Sequence, residues 1–213
     1  MKRFPRLIGV VHLPALAGSP GAHGLSPYEA LTRAGEQAIR EVLLLQKAGF
    51  DGIILENFGD IPFYSGSVPV ETSASMAVIA GAVREATKLA LGINILRNDA
   101  RAALAVAAVS GCDFIRVNVL SGIAATDQGL IEGQAAHLLR DRDRLHAHVE
   151  IFADVLVKHA RYLSGDDVDL AVEEAAGRAG ASAVIVTGAT TGRAVEQGRL
   201  QAGARAAKKM GVP

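Results

Sequence analysis

The sequence predicts an α/β protein in which six parallel strands alternate with helices and curve into a barrel. Three observations support this fold class: a recurring helix-to-strand junction, apolar helical stripes between the junctions, and polar residues that alternate along two strands. The chain has 213 residues, of which 50% are apolar and 21% are charged. It is therefore long enough and apolar enough to bury a large core. No linker or shift in composition divides the chain, so we expect one domain over residues 1–213.

The helix-to-strand junction contains a glycine each time. It is KAGFDG before the strand at 53–56, VSGCD before the strand at 114–118, and RAGAS before the strand at 183–187. Glycine adopts the left-handed conformation that ends a helix at little cost. Such short returns join parallel strands through crossover helices.

Helical patterns fill the segments between these junctions. Ser26, Pro27 and Glu29 have the order of an N-cap, a first helical residue and a capping-box glutamate, and an apolar stripe follows up to Leu45. Further helices are predicted over residues 72–90, 98–110, 130–145, 167–179 and 197–209. Strands are predicted over residues 7–12, 53–57, 92–96, 114–119, 149–157 and 183–187.

Polar residues on two strands distinguish a barrel from an open sheet. Arg116 and Asn118 alternate with apolar residues on the fourth predicted strand, and Glu150 and Asp154 do so on the fifth. Strands covered by helices on both faces are apolar throughout, whereas a barrel interior carries polar groups near its mouth. The pattern favours a TIM (βα)8-type barrel, in which Arg116 and Glu150 are expected to neutralise one another.

The number of units predicts an incomplete barrel. A complete barrel of this type has eight strands and about 250 residues, whereas this sequence contains about six strand–helix units, and residues 211–213 resemble the opening of a seventh strand. We therefore expect truncation after about six units, with unpaired edges at 7–12 and 183–187. Unpaired edges favour association, so a homo-oligomer is an expected consequence.

Composition and charge exclude several classes of function. Basic and acidic residues number 22 each, and this zero net charge argues against a sequence-independent nucleic-acid binder. Aromatic residues make up only 4%, which argues against surfaces that stack bases. The single cysteine, Cys112, excludes an intrachain disulfide and suits a reducing cytoplasm. We expect a cytoplasmic protein that binds no nucleic acid.

The N-terminal region predicts no integral membrane segment. The longest stretch without a charged residue, 7–28, contains three prolines and four glycines, which exclude a continuous spanning helix. The start is similar to a signal peptide, with basic residues followed by Ala-Leu-Ala at 15–17. Because His12 and Pro14 interrupt its apolar run, we expect residues 7–12 to form a strand instead.

Several motifs occur in one order from residue 7 to about residue 192. They are IGVVHLP at 8–14, DGIILENFGD at 51–60, GINILRND at 92–99, FIRVNV at 114–119, TDQG at 126–129, IEG at 131–133 and ADVLVKHA at 153–160. Together they resemble the BtpA/SgcQ family. The resemblance implies a TIM barrel related to ribulose-phosphate-binding barrels.

The resemblance also carries functional expectations. Cyanobacterial members of the family are linked to photosystem I biogenesis at the thylakoid surface, and enteric members occur among sugar-uptake and sugar-phosphate genes. No reaction is settled for the family. This sequence departs from the family at its C-terminus, where related barrels carry the strands whose loops usually hold phosphate.

Nearly every predicted strand ends in a side chain that can hydrogen-bond or titrate, and TIM barrels carry their chemistry at these ends. The expected catalytic residues, acid/base or nucleophilic, are Glu56, Asp154 and Lys158. The expected substrate-binding residues are His12, Asn57, Arg97, Asn118, His159, Thr187 and Gly188. The expected ligand is a small phosphorylated molecule.

Lys158 has two interpretations. It follows Asp154 by four residues, so both lie on one face if the strand stays regular. A lysine inside a barrel loses its proton through desolvation and can form a Schiff base, while Asp154 shuttles protons. Alternatively, Lys158 forms an ion pair with Asp154 or Glu56 and only orders the mouth of the barrel.

Other residues also leave alternatives open. Glu56 is a general base, a metal ligand, or a carboxylate hydrogen-bonded to loop amides, and Arg97 grips an anionic substrate or is solvated at the rim. Asn98 or Asp99 caps the next helix. Residues 127–129 form a lid or a turn. Loop 188–192 offers its backbone amides to an oxyanion or is an ordinary short Gly/Thr loop. The candidate ligands lack metal-site spacing, so neither a metal nor a cofactor is assigned.

Two hypotheses of function follow. In the first, the barrel binds a phosphorylated sugar- or nucleotide-like metabolite, and any catalysis is of the lyase/aldolase or isomerase type. In the second, the chain is a non-catalytic assembly or stability factor, as the photosystem link implies. Substitution of Lys158 separates them, because it abolishes turnover only under the first hypothesis.

Overall fold

A computed structural model describes residues 4–188 and 193–213 of the chain, so most of the expected loop at 188–192 lies outside the described residues. The strands are β1 (Ile8–His12), β2 (Gly52–Glu56), β3 (Ala90–Asn94), β4 (Phe114–Val117), β5 (Ile123–Thr126), β6 (Gly129–Glu132), β7 (Glu150–Val155), β8 (Ala160–Tyr162) and β9 (Ala183–Val186). The α-helices are α1 (Pro27–Lys47), α2 (Val70–Ala86), α3 (Ala100–Val109), α4 (Ala135–Arg144), α5 (Val168–Glu173) and α6 (Gln197–Met210). A π-helical turn, Glu174–Arg178, continues α5.

The chain divides into two compact units, a first unit (Met1–Ile115) and a second unit (Arg116–Pro213). In the first unit β1, β2, β3 and the start of β4 are parallel neighbours in chain order, and α1, α2 and α3 connect them. This alternation confirms the expected strand–helix repeat. The expectation of one domain stays a prediction.

The second unit contains the end of β4, which neighbours β7, and β7 pairs in parallel with β9. The backbone N–H of Val184 in β9 donates to the carbonyl of Pro213 at 3.0 Å. The residues expected to open a seventh strand therefore begin to pair with β9.

A second sheet in this unit was missed by the sequence-based prediction. β5 pairs antiparallel with β6 on one side and with β8 on the other. The expected helix over 130–145 is wrong at its start, because residues 129–132 form β6 and α4 begins at Ala135. Residues 127–129 lie at the turn of the β5–β6 hairpin, where Gly129 has a φ of +98°, so the turn interpretation is confirmed.

Packing explains why these short segments form strands. Ile131 of β6 is buried against Val119, Ala124 and Val157, and Tyr162 of β8 packs against the same cluster. A four-residue strand buries its apolar side chains only when its neighbours are already in place. Three or four residues also contain too little alternation to identify such a strand from the sequence.

Helix boundaries follow the expected local chemistry. Ser26 Oγ accepts from the N–H of Glu29 at 3.2 Å, and the Glu29 carboxylate accepts from the N–H of Ser26 at 2.7 Å, which confirms the capping box. Hydrogen bonds from the side chain and the backbone of Ser26 to the Glu29 carboxylate hold the pKa of Glu29 below its usual value. At the three junctions Gly49, Gly111 and Gly180 have φ values of +91°, +66° and +71°, as a helix-ending glycine requires.

No helix in the described part of the chain combines the length and the apolarity needed to cross a bilayer. The longest of them, α1, buries only one face, which consists of Ala30, Ala34, Ala38 and Val42. Ala34, Ala38 and Val42 belong to the apolar stripe that the sequence predicts for the first helix, whereas Leu45 at the end of that stripe is only half-buried.

Gly92 in β3 provides a test of packing in the first unit. The buried ring of Phe114, its register partner in β4, occupies the space that a Cβ at Gly92 would need. We expect Gly92→Ala to lower the free energy of unfolding by about 1–3 kcal/mol, because the ring has to shift. Urea denaturation followed by circular dichroism measures this change.

Gly81→Ala is the matched control for that substitution. Gly81 lies inside α2, and nothing approaches within 4 Å of the position that a Cβ would take there. Alanine should therefore raise stability by about 0.5–1 kcal/mol through its better helix propensity. Equal effects of the two substitutions would contradict the close approach at Gly92.

Cys112 provides a test of burial at the α3–β4 junction. Desolvation raises the pKa of its thiol to about 12, against the opposing charge of Arg84. At pH 8 the thiolate fraction is then on the order of 10⁻⁴, compared with about 0.2 for a free cysteine. We expect iodoacetamide to label the native chain about 10³-fold more slowly than the urea-unfolded chain, measured by mass spectrometry. Equal labelling rates would show that the thiol is accessible and ionised normally.

Candidate functional site

The first unit brings three polar side chains together at the ends of neighbouring strands. Glu56, which ends β2, is 4% exposed. Its Oε1 accepts from Asn94 Nδ2 at 3.0 Å, and its Oε2 lies 3.4 Å from Nε2 of His12. His12, Glu56 and Asn94 are register partners across β1, β2 and β3, which places their side chains on one face.

His12 is the accessible member of this group. Its side chain is 47% exposed, and its ring stacks on Phe58 with 4.2 Å between centroids and an interplanar angle of 16°. The buried carboxylate of Glu56 and the Phe58 ring together orient the imidazole. An oriented imidazole beside a carboxylate can supply a general acid or base. The sequence indicated Glu56 and His12 separately, but it did not indicate Asn94.

Asn57 orders the loops that follow β2 and β3. Its Oδ1 accepts from the N–H of Leu96 at 2.7 Å, and its Nδ2 donates to Asp60 at 3.0 Å. Asp60 in turn accepts from the N–H of Leu16 at 2.8 Å. Both ends of the Asn57 amide therefore bond to the protein, which favours a positioning role over direct contact with substrate.

Arg97 and Asp99 follow β3 and differ in role. Arg97 is buried, with 6% of its surface exposed, so the interpretation of a solvated rim arginine is wrong. Asp99 is the N-cap of α3, because its carboxylate accepts from the N–H of Ala102 at 2.9 Å, and it also accepts from the N–H of Val68 at 2.9 Å. The expected helix cap is therefore confirmed at Asp99.

Loops of the first unit enclose a cavity of about 380 Å³ near these residues. Its lining includes Asn57, Asp60 and Leu96, together with Ser19 and Tyr64. This volume is within the range of sites for small molecules. The cavity shows that the first unit has room for a ligand at the ends of β2 and β3.

The second unit is organised around the carboxylate of Asp154 on β7. Its side chain has no exposed surface, and it receives two bonds from Arg116: Nε to Oδ2 at 3.1 Å and Nη2 to Oδ1 at 3.2 Å. Asn118 Nδ2 donates to the same Oδ2 at 2.6 Å. Arg116 and Asn118 are two residues apart, so they reach Asp154 from the same face.

Asn118 carries a buried acceptor that no described residue satisfies. The residue is 1% exposed, and its Oδ1 has no hydrogen-bond partner within 4–188 and 193–213. Thr187, which follows β9, has a buried Oγ1 that likewise has no partner in the described part of the chain. A buried polar atom left unsatisfied costs about 1–3 kcal/mol. Both atoms lie at strand ends, where a ligand can supply the missing partner.

Lys158 and His159 lie in the loop between β7 and β8. β7 ends at Val155, and Leu156 has a φ of +52°, so the expected strand over 149–157 is too long and its alternation does not extend to Lys158. Lys158 is half-buried, and His159 is exposed with a φ of +58°. The sequence-based reason for placing Lys158 on the face of Asp154 is therefore wrong.

Gly188 follows Thr187 at a place where the backbone is crowded. A side chain at Gly188 would overlap the carbonyl oxygen of Arg193. In the described residues no group of three or more histidine, cysteine or acidic side chains is arranged to hold a metal ion.

Parallel strand–helix repeats with polar side chains at the strand ends define a protein of the TIM-barrel class. Solved structures support this class. A mandelate racemase/muconate lactonizing enzyme-like protein from Rubrobacter xylanophilus is similar with a TM-score of 0.60 and 17% identity, over 98% of this chain and 49% of that one. The 7,8-dihydropteroate synthase of Vibrio fischeri is similar with a TM-score of 0.56 and 17% identity, over 97% of this chain and 71% of that one. This chain thus spans about half the length of the first of these structures and less than three quarters of the second.

The chain belongs to the BtpA family, whose family model matches residues 3–213. An uncharacterized protein of Pyrococcus horikoshii is 48% identical over 190 residues, which are 89% of this chain and 70% of the relative. A Synechocystis relative named photosystem I biogenesis protein BtpA is 44% identical over 202 residues, which are 95% of this chain and 69% of that protein. The expected resemblance to BtpA is confirmed.

The buried ion pair of the second unit can be tested by removing one charge. Asp154→Asn leaves the Arg116 guanidinium buried without its carboxylate, and we expect a loss of about 3–5 kcal/mol in the free energy of unfolding. Urea denaturation measures the loss. The matched control, Glu36→Gln, breaks the exposed pair of Glu36 with Arg40 and should not move the midpoint. If both substitutions moved the midpoint equally, Asp154 would not be the centre of this cluster.

Proposed function

We propose that this chain binds a small metabolite of the phosphorylated sugar or nucleotide type at the carboxyl ends of its strands, in the cytoplasm. The observation that carries the proposal is the buried Oδ1 of Asn118, which has no hydrogen-bond donor in the described part of the chain. A hydroxyl or N–H group of a ligand would satisfy this acceptor. Sugars and nucleosides are rich in such donors.

The surroundings of Asn118 support a binding role. Asp154 holds the Nδ2 end of the amide, and Arg116 holds Asp154 through two bonds. The acceptor oxygen is therefore oriented before any ligand arrives. A polar group that is already held in place by its neighbours binds its partner without the entropy cost of ordering the side chain.

The same proposal extends to chemistry on the ligand. In the second unit, Lys158 provides an amine that can form an imine with a carbonyl compound. The first unit, taken by itself, carries an acid/base pair formed by His12 and Glu56. These groups suit proton transfer of the lyase/aldolase or isomerase type. Asp154, bonded to both Arg116 and Asn118, is better suited to positioning than to proton transfer.

The Synechocystis relative favours a second candidate function. That protein is named for photosystem I biogenesis and is 44% identical to this chain. Under this alternative the chain is a non-catalytic assembly or stability factor. Substitution of Lys158 would then be silent, and substitutions on exposed helix faces would abolish partner binding.

A thermal-shift screen against sugar phosphates and nucleotides tests the first candidate. A ligand that binds only the folded chain raises its stability by about 2.7 kcal/mol at a hundred times the dissociation constant. We expect the shift to disappear in Asn118→Ala and to shrink in Thr187→Val, because both remove a polar atom from the proposed site. Each shift is measured relative to the same variant without ligand, which separates binding from stability.

Gln201→Ala on the exposed face of α6 is the control and should keep the shift. If no compound moves a cooperative melt, or if the shift survives both site substitutions, the proposed binding site is wrong. Once a turnover assay exists, Lys158→Met should abolish turnover, and retained turnover would remove Lys158 from the mechanism.

A further inference from the structure

A second cavity of the second unit, here called the basic cavity, has a volume of about 450 Å³. It lies beside the chain that leaves β7, and three basic side chains line it: Lys158, Arg161 and Arg199. Among the described residues of the lining, Asp166 is the single acidic one, so positive charge is in excess. A concave surface with an excess of positive charge attracts anions.

Arg199 anchors the basic cavity from α6. Its Nη2 donates to the carbonyl of Leu156 at 2.6 Å and to that of Val155 at 3.3 Å. These bonds hold the guanidinium against the end of β7. Its Nε is also buried, but it has no acceptor in residues 4–188 and 193–213. A buried, charged donor without an acceptor is costly, so an oxygen atom of a ligand at this position would stabilise the group.

Arg161 approaches the cavity from a different element. It lies on β8, opposite Ala125 of β5, and it is exposed. It makes no ion pair with any residue that the structure describes. Lys158 is half-buried and lies on the loop that joins β7 to β8. Cations from a loop, a strand and a helix thus converge on one cavity.

Tyr162 connects the basic cavity with the proposed binding site. Tyr162 is one of the lining residues, and its hydroxyl donates to the backbone carbonyl oxygen of Asn118 at 3.5 Å and accepts from the N–H of Val157 at 3.4 Å. The basic cavity is therefore one side chain away from the backbone of Asn118.

We propose that the basic cavity holds the phosphate group of the metabolite, with Arg199 and Arg161 as its ligands and Lys158 as a further cation. This inference rests on the proposed function, and it specifies the ligand as a phosphate monoester. Such a group carries a charge of about −1.5 to −2 at pH 7 and offers three acceptor oxygens. A guanidinium group donates two parallel N–H bonds to two phosphate oxygens, an arrangement that a neutral sugar does not need.

Binding of inorganic phosphate and of phenyl phosphate to the full chain tests the inference, measured by phosphorus NMR titration at constant ionic strength. We expect Arg199→Met and Arg161→Met each to weaken the affinity for both probes at least tenfold. Arg161→Met is the safer variant for folding, because Arg161 is an exposed strand residue. Arg205→Met, which removes an exposed arginine from the same helix as Arg199, is the control and should bind like the unmodified chain.

Two results would overturn the inference. The first is an unchanged affinity for both probes in Arg161→Met and in Arg199→Met. The second is an equal loss of affinity in Arg205→Met, which would show that net charge alone attracts the anion. Asn118→Ala distinguishes this inference from the proposed function. This substitution should weaken the affinity for a sugar phosphate but leave the affinity for inorganic phosphate unchanged. If metabolites bind through Asn118 but not through the arginines, the phosphate site fails and the proposed function stands. If the arginines bind phosphate while Asn118 affects no metabolite, the proposed function fails and the anion site stands.

Discussion

The buried charge of Asp154 is the constraint on which the second unit depends. A carboxylate without exposed surface has to receive several hydrogen bonds, and here it receives two from Arg116 and one from Asn118. Those bonds determine where β4 presents its polar side chains relative to β7. They also use the Nδ2 of Asn118 and leave its Oδ1 oriented and without a donor among the described residues. The site chemistry is therefore a consequence of how the unit neutralises one buried charge.

The first unit also buries a carboxylate at a strand end, but the neighbours of that carboxylate are different. Glu56 is also a buried carboxylate at a strand end, and it also accepts from an asparagine of the neighbouring strand, Asn94. Its other neighbour is a histidine that is half exposed, whereas the neighbour of Asp154 is a buried arginine. The exposed imidazole is accessible to small molecules, whereas the guanidinium of Arg116 is not. This difference supports acid/base chemistry at His12 and Glu56, and positioning at Asp154.

The fold was largely predictable because its signals are local. Glycines at three junctions, the capping box at Ser26 and period-two alternation on β4 each depend on residues that are close in sequence, and all three are found in the structure. The three antiparallel strands were not predictable, since each is three or four residues long and is stabilised by packing around Ile131 and Val119. Lys158 was misplaced for a comparable reason. A single left-handed residue, Leu156, ends the strand and interrupts the alternation.

The sequence by itself determined the alternation of the parallel strands with helices, the residue types at the strand ends and the membership of the BtpA family, because each of these is encoded in adjacent residues or in motifs. Only the tertiary structure decided which of those residues meet. It paired Arg116 with Asp154, buried Arg97, and brought Arg199 from a distant helix to the carbonyls that follow β7. Contacts between residues more than 30 positions apart depend on strand register and helix packing. Both depend on many residues that are distant in the sequence, so no short segment of the chain predicts them.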